Sequence, residues 1–225
     1  MPTAGRTRDE TAPTVFVVDD DVDVRSALAR LIRSLGMQVE TFASAREFLK
    51  CQRPDGPACL VLDVRIAGEN GLIVQEALRT AAWRPPIIFL TGHGTVPMCA
   101  RAMKGGAVDF LQKPVDDEDL LAAISTALEQ DYRTRNSQRQ HAVLHQRIAT
   151  LTPRERDVMA LVTTGLLNKE IAYTLGTTEK TIKAHRAHIM QKMQARSLAA
   201  LVRMVAMVET GAPQTAQPQP IASAG

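Results

Sequence analysis

The sequence predicts a doubly wound parallel α/β sheet followed by a small all-helical domain, on three observations. Five short apolar or β-branched runs alternate with five helical patterns between residues 14 and 128. From Leu151 onward the strand signal disappears and four helical segments take over. The charge divides there too. Residues 14–128 hold 12 Lys/Arg against 15 Asp/Glu, a net of −3, and residues 129–225 hold 13 against 7, a net of +6. An acidic front and a basic back indicate two tasks, with the basic half facing a polyanion.

The first strand is Thr14–Val18, which runs into Asp19-Asp20-Asp21. A helix follows from about Val22 to Leu35, apolar at Val24, Leu28, Leu31 and Leu35, capped by Asp21 and stopped by Gly36. Val39–Phe42 is a strand, and Ser44 caps a short helix from Ala45 to Lys50. Ala58-Cys59-Leu60-Val61-Leu62 is apolar without alternation, the mark of a strand buried on both faces. It ends at Asp63, and Gly68-Glu69-Asn70-Gly71 reads as a loop. Next come a helix near Leu72–Ala81, a strand Ile87–Leu90 ending at Thr91, and a helix Val96–Met103 closed by Gly105-Gly106. The fifth strand, Val108–Leu111, leads into Gln112-Lys113-Pro114. A last front-half helix starts near Asp116, runs towards Arg135 and gives way to a polar, basic linker reaching about Thr150.

The helical segments of the back half are Pro153–Thr164, Lys169–Leu175, Glu179–Met193 and Leu198–Val208. The expected division is therefore a front domain over 14–128, a helical and polar linker over 129–146, and a second domain over 147–210. Residues 1–13 and the Pro-, Gln- and Ala-rich stretch 211–225 are expected to be disordered. No apolar run reaches membrane-span length and Met1–Ala12 lacks an apolar signal core, so a cytoplasmic protein is expected. Cys51, Cys59 and Cys99 are odd in number and widely spaced, as reduced thiols are.

In open α/β sheets ligands gather at the carboxyl ends of the strands. There lie Asp19, Asp20, Asp63, Thr91 and Lys113. Converging carboxylates repel one another unless a hard dication sits among them. Mg²⁺ suits such a place, because it takes a few carboxylates, keeps waters and completes its shell with phosphate oxygens. Lys113 adds a second positive charge, and the Thr91 hydroxyl a hydrogen bond for an incoming anion. A carboxylate can attack phosphorus and form an aspartyl phosphate, with positioning and charge neutralisation carrying most of the rate. Singly, each residue has a plainer reading: Asp19-Asp20 as a helix-entry cap, Lys113 as a surface charge. His93, between two glycines, reads as a loop residue rather than a catalyst.

These residues resemble the receiver domains of two-component response regulators, which have a flavodoxin-like fold. The matching segments are Val17-Val18-Asp19-Asp20-Asp21, Leu62-Asp63, Leu90-Thr91-Gly92, Gly105-Gly106-Ala107-Val108-Asp109-Phe110 and Lys113-Pro114. The resemblance implies that Asp63 accepts a phosphoryl group from a sensor histidine kinase. It assigns Mg²⁺ to Asp19, Asp20, Asp63 and the backbone carbonyl of Arg65, and phosphoryl contacts to Thr91 and Lys113. Phe110 takes the aromatic switch position, turning inward as Thr91 moves, and Lys113-Pro114 is expected to be cis. One departure stands out: the loop after the phosphoacceptor reads Ile66-Ala67 where the family has Met-Pro, which bears on phosphoryl lifetime.

In the back half, Thr152-Pro153-Arg154-Glu155 is a capping box with Pro at the first helical position. Asn168-Lys169-Glu170-Ile171-Ala172 opens a short helix ended by Gly176, and Thr178 caps the next. Two helices joined by a tight glycine-containing turn make a helix-turn-helix. On the second, Ile182, Ile189 and Met193 form one apolar stripe. The opposite face carries Lys180, Lys183, Ala184, Ala187, His188 and Gln191, basic with small residues and suited to a major groove. His185 reads as a packed structural residue. The pattern resembles LuxR/GerE-type output domains, carried also by Thr181-Ile182-Lys183 and Ile189-x-x-Lys192-Met193. That resemblance implies base-edge contacts near Lys183, Ala184 and Ala187. It implies phosphate contacts from Thr181, Lys169, Lys192 and Arg186, the last reaching outward from nearer the packed side. The final helix is apolar beyond what its own domain needs, and Leu198, Leu201 and Val205 are candidates for a dimer surface.

Together the halves resemble response regulators of the FixJ/NarL type, phosphorylation-controlled transcription factors rather than enzymes. A dimer surface made by phosphorylation would use Val96, Met98, Arg101 and Gln112, and would place two recognition helices on a two-fold DNA operator, with RNA polymerase as a further partner. Three rival readings fit the residues less well. An Asp-nucleophile phosphatase of the haloacid dehalogenase type wants a second Asp where this chain has Arg65. A constitutive DNA binder with a vestigial receiver is opposed by the filled acidic site. A ligand-sensing regulator would need a sensor fold in front.

Overall fold

Side-chain alternation along the central strands sorts the front half into two cores. The structure, a computed structural model, describes residues 12–66, 68–81 and 83–210. The expectations for residues 1–11, Ala67 and 211–225 lie outside the described residues. In β1 (Thr14–Val18) and β3 (Ala58–Asp63), Phe16, Val18, Leu60 and Leu62 enter one buried cluster, and Val15, Val17, Cys59 and Val61 the other. Both faces of β3 are thus covered, which is why its apolar run does not alternate with polar residues. Full burial of each such Leu, Val or Phe stabilises the fold by about 1.5–3 kcal/mol.

The elements in chain order are β1, α1 (Val22–Ser34), β2 (Gln38–Phe42), α2 (Ala45–Phe48), β3, β4 (Arg65–Ile66), β5 (Glu69–Asn70) and α3 (Gly71–Arg79). Then follow β6 (Ile87–Thr91), α4 (Val96–Lys104), β7 (Asp109–Gln112) and α5 (Asp117–Ala149). The main sheet is parallel with order β2-β1-β3-β6-β7, so the predicted doubly wound, flavodoxin-like fold is present. The chain order reverses between β1 and β3. Phe16, Phe42, Phe48 and Trp83 cluster on one face, mostly edge to face, with paired ring centroids 5.4–6.1 Å apart.

Two expected element boundaries need correction. The loop after Asp63 holds a small antiparallel hairpin of β4 and β5, pairing Arg65 with Asn70. And α5 does not yield to a polar linker after Arg135; it is helical through Ala149. No glycine or proline interrupts residues 117–149, and Ala, Leu, Gln and Arg recur, all strong helix formers. Asp131 and Arg135 also anchor its middle: Asp131 Oδ2 accepts from Ala58 N at 2.8 Å and from Arg135 Nε at 2.5 Å, and Arg135 Nη1 donates to Pro54 O at 2.8 Å. Nearby, burial and then the Asp131 charge push the Cys59 thiol far above its ordinary pKa, leaving it neutral.

The chain divides into two compact units, 1–136 and 137–225. The second contains α6 (Pro153–Thr163), α7 (Asn168–Thr174), α8 (Glu179–Met193) and α9 (Leu198–Thr210). Their core is Val158, Val162, Ile171, Ile182, Ile189 and Met193 with Leu151 and Leu201. Leu201 is 1% exposed, so the expectation that it forms a dimer surface is overturned: its side chain fills its own domain. Among the described residues no helix is long and apolar enough to cross a membrane.

Candidate functional site

Strand register assembles the acidic site. Val18 lies opposite Leu62 and Asp63 opposite Leu90, so Asp19, one residue past β1, stands beside Asp63. Thr91 pairs with Gln112, which puts Lys113 on the same edge. Lys113 Nζ donates to Asp19 Oδ2 and to Asp63 Oδ2, each at 2.5 Å. The Lys113-Pro114 peptide is cis. Asp19 is 1% exposed, and burial lifts its carboxyl above the ordinary range despite the hydrogen bonds from Lys113 and from Asp21 N. Burial works against the Lys113 charge, but its hydrogen bonds to Asp19 and Asp63 prevail and hold its pKa above the ordinary value.

Carboxylate oxygens of Asp19, Asp20 and Asp63 all lie within 4.8 Å of one another. Three hard oxygen donors at that spacing, one buried where an uncompensated charge is costly, fit Mg²⁺. Arg65 follows in β4, its N–H donating to Asp63 Oδ1 at 2.9 Å, which fixes the carboxylate's orientation. Asp21 is the α1 cap, accepting from Asp23 N and Val24 N at 2.8 and 3.2 Å. Thr91 is buried, and its Oγ1 accepts from His93 N at 3.2 Å; His93 serves the loop through its backbone. Phe110 is half-buried, its ring centroid 6.2 Å from that of Phe89.

Two residues of this site escaped the sequence reading. Arg25 Nη1 donates to the Asp19 carbonyl at 2.6 Å, holding the backbone of the acidic pair; in sequence it is one more charge on an amphipathic helix. Gly71 begins α3, and a Cβ there would stand 2.5 Å from the Asp63 carbonyl. Only a glycine lets α3 start against the turn after Asp63, a close approach that a loop glycine alone does not announce.

In the second unit, the turn between α7 and α8 passes through Gly176 at φ +60°, where Thr177 N closes on Ala172 O at 2.9 Å. Thr178 Oγ1 then caps α8, accepting from Thr181 N at 3.2 Å. The buried residues of α8 are Ile182, Ile189 and Met193, the expected stripe. Lys180, Thr181, Lys183, Ala184, Ala187, His188 and Gln191 are exposed, as is Lys169 on α7. Arg186 and Lys192 are half-buried with internal partners. Arg186 Nη1 donates to Asn168 Oδ1 at 2.8 Å, and Lys192 Nζ to Glu155 Oε2 at 2.6 Å. The Lys192 hydrogen bond, followed by that from Thr152 N, lowers the Glu155 pKa to about 2. Of the other dimer candidates, Val96, Arg101, Gln112 and Leu198 are exposed, whereas Met98 and Val205 are half-buried against their cores.

Known proteins share both halves. The family model of the response regulator receiver domain matches residues 15–125, and that of the bacterial regulatory proteins of the luxR family matches residues 149–205. Nodulation protein W of Bradyrhizobium diazoefficiens is 50% identical over 215 residues, covering 96% of this chain and 95% of that protein. The transcriptional regulatory protein FixJ of Azorhizobium caulinodans is 40% identical over 204 residues, 91% of this chain and 97% of that one. The structure of the response regulator StyR superposes with a TM-score of 0.79 at 47% identity, covering 87% of this chain and 99% of that chain. The phosphatase reading falls with these matches, because the acidic edge is a receiver's and is joined to a DNA-binding domain. The chain belongs to the transcriptional response regulators that couple a receiver domain to a LuxR-family DNA-binding domain, and it is not an enzyme.

Proposed function

We propose that phosphorylation of Asp63 by a sensor histidine kinase controls dimerisation and DNA binding by this chain in the cytoplasm. The observation that carries this reading is the Lys113 ammonium shared between Asp19 and Asp63 beside a third carboxylate, Asp20. An Asp63 oxygen attacks phosphorus of the kinase's phosphohistidine: an O–P bond forms, the N–P bond breaks, and the leaving imidazole takes a proton. Asp19, Asp20, Asp63 and the Arg65 carbonyl would hold Mg²⁺, which when bound neutralises charge on the transferring phosphoryl group. Once Asp63 is esterified, Lys113 donates to a phosphoryl oxygen, and the Thr91 hydroxyl donates to another.

Thr91 and Phe110 then settle inward, a population shift that reshapes α4 and β7. Val96, Met98, Arg101 and Gln112 form the receiver's dimer surface, with Leu198 and Val205 contributing on α9. Dimerisation sets two α8 helices on a two-fold operator and multiplies weak half-site binding. Lys180, Lys183, Ala184, Ala187 and His188 face the bases. Thr181 and Lys169 contact phosphates, joined by the remaining donors of Arg186 and Lys192. RNA polymerase is the natural further partner of an activator so placed.

Acetyl phosphate with Mg²⁺ tests this without the kinase. The wild type is expected to incorporate one phosphoryl group per chain and to bind a duplex more tightly afterwards; Asp63→Asn should do neither. Equal gains in both proteins would defeat the assignment of Asp63.

A further inference from the structure

Gly94 sits in the exposed loop between Thr91 and α4, and backbone conformation does not explain it. Gly68, by contrast, has φ +84° and open space at its Cβ position, so the chain's path selects glycine there. Gly94 lies outside that positive-φ region, yet an added Cβ would stand 2.8 Å from Thr91 Cγ2 and 2.9 Å from Phe110 Cε1. Carbons that close repel strongly, and the next contact, Phe110 Cζ at 3.5 Å, shows that the ring's edge fills the space. One point beside Gly94 is therefore bordered by the methyl of Thr91 and by the ring of Phe110.

Neither neighbour yields easily. Thr91 is 2% exposed and held at the end of β6, with its hydroxyl engaged by His93 N. Phe110 leans on Phe89 and on the core under α3 and α4. We propose that Gly94 is a positioning residue of the switch: its missing side chain leaves the space beside it to the Thr91 methyl and the Phe110 ring, so that both can take the places the switch requires. This inference rests on the reading that phosphorylation of Asp63 moves Thr91.

The test is Gly94→Ala in the full chain, with acetyl phosphate and Mg²⁺. Methyl and aromatic NMR report Thr91 and Phe110 before phosphorylation, and light scattering reports dimerisation after it. The proposal expects both signals to shift in Gly94→Ala and the phosphorylation-induced gain in dimerisation to fall about tenfold, the scale of a coupling between sites. Thr91→Ser in the same chain keeps the hydroxyl, deletes the clashing methyl, and should restore at least part of the gain. If Gly94→Ala fails to fold, the comparison of Gly94→Ala/Thr91→Ser with Thr91→Ser carries the test, with a smaller loss expected. Unmoved Thr91 and Phe110 signals, an undiminished gain, or a loss that Thr91→Ser leaves untouched overturns the proposal. Failure of the phosphorylation reading itself appears separately, as a wild type that takes up phosphoryl without dimerising.

Discussion

The Lys113 ammonium lies 2.5 Å from Asp63 Oδ2, across 50 residues of chain, and equally close to Asp19 Oδ2. Parallel pairing of β1, β3, β6 and β7 brings the three to one edge. The lysine holds together two carboxylates that would otherwise repel.

Lys113→Met removes that cation and leaves the carboxylates facing each other. Because Lys113 is one-fifth exposed, solvent screens part of the loss, and a destabilisation of about 1–2 kcal/mol is expected. Thermal melting should show Mg²⁺ recovering part of it, and phosphoryl uptake should fall at least tenfold or so.

Asp19 is expected to trade stability for function. Its folded pKa is raised by burial, so ionisation is easier in the unfolded chain, and stability falls as pH rises through the interval between the two values. Asp19→Asn can still accept from Asp21 N and carries no buried charge. Its melting temperature at neutral pH should exceed the wild type's by about 3 °C, while stabilisation by Mg²⁺ is lost.

Glu155 has the opposite sign. Its folded pKa is about 2, below the ordinary 4.5, so its contribution is complete above 4.5 and disappears as pH falls towards 2. Chemical denaturation of the wild type should show the DNA-binding domain weakening across that window. Glu155→Gln should be weaker at neutral pH and lose that part of the acid sensitivity.

Leu201 and Leu198 should separate core from surface on α9. Leu201→Ala opens a cavity and is expected to cost about 2–4 kcal/mol of domain stability. Leu198→Ala, at a position 38% exposed, should cost under about 1 kcal/mol and act instead on the dimer dissociation constant measured by sedimentation.

Much of this was legible in the chain. The unbroken apolar run before Asp63 specified a strand covered on both faces, and the stripe of Ile182, Ile189 and Met193 fixed which side of α8 is buried. What escaped depended on contacts between distant segments. Leu201 was misplaced because an apolar helix does not state which of its residues its own domain consumes. The Asp131–Arg135 anchor joins α5 to the turn before β3, a contact that no local pattern announces, whereas the unbroken run of helix formers to Ala149 is in the chain but its polarity resembles a linker's. Gly71 and Gly94 looked like ordinary loop glycines because the atoms that exclude a Cβ come from other elements.

The central claim is tested most directly by molecular mass and duplex affinity, measured on wild type and Asp63→Asn before and after acetyl phosphate with Mg²⁺. Dimerisation and tighter binding in the wild type alone are the predicted result. Duplex affinity unchanged in both proteins, with no phosphoryl uptake, would contradict it and leave a DNA-binding protein whose acidic edge controls nothing.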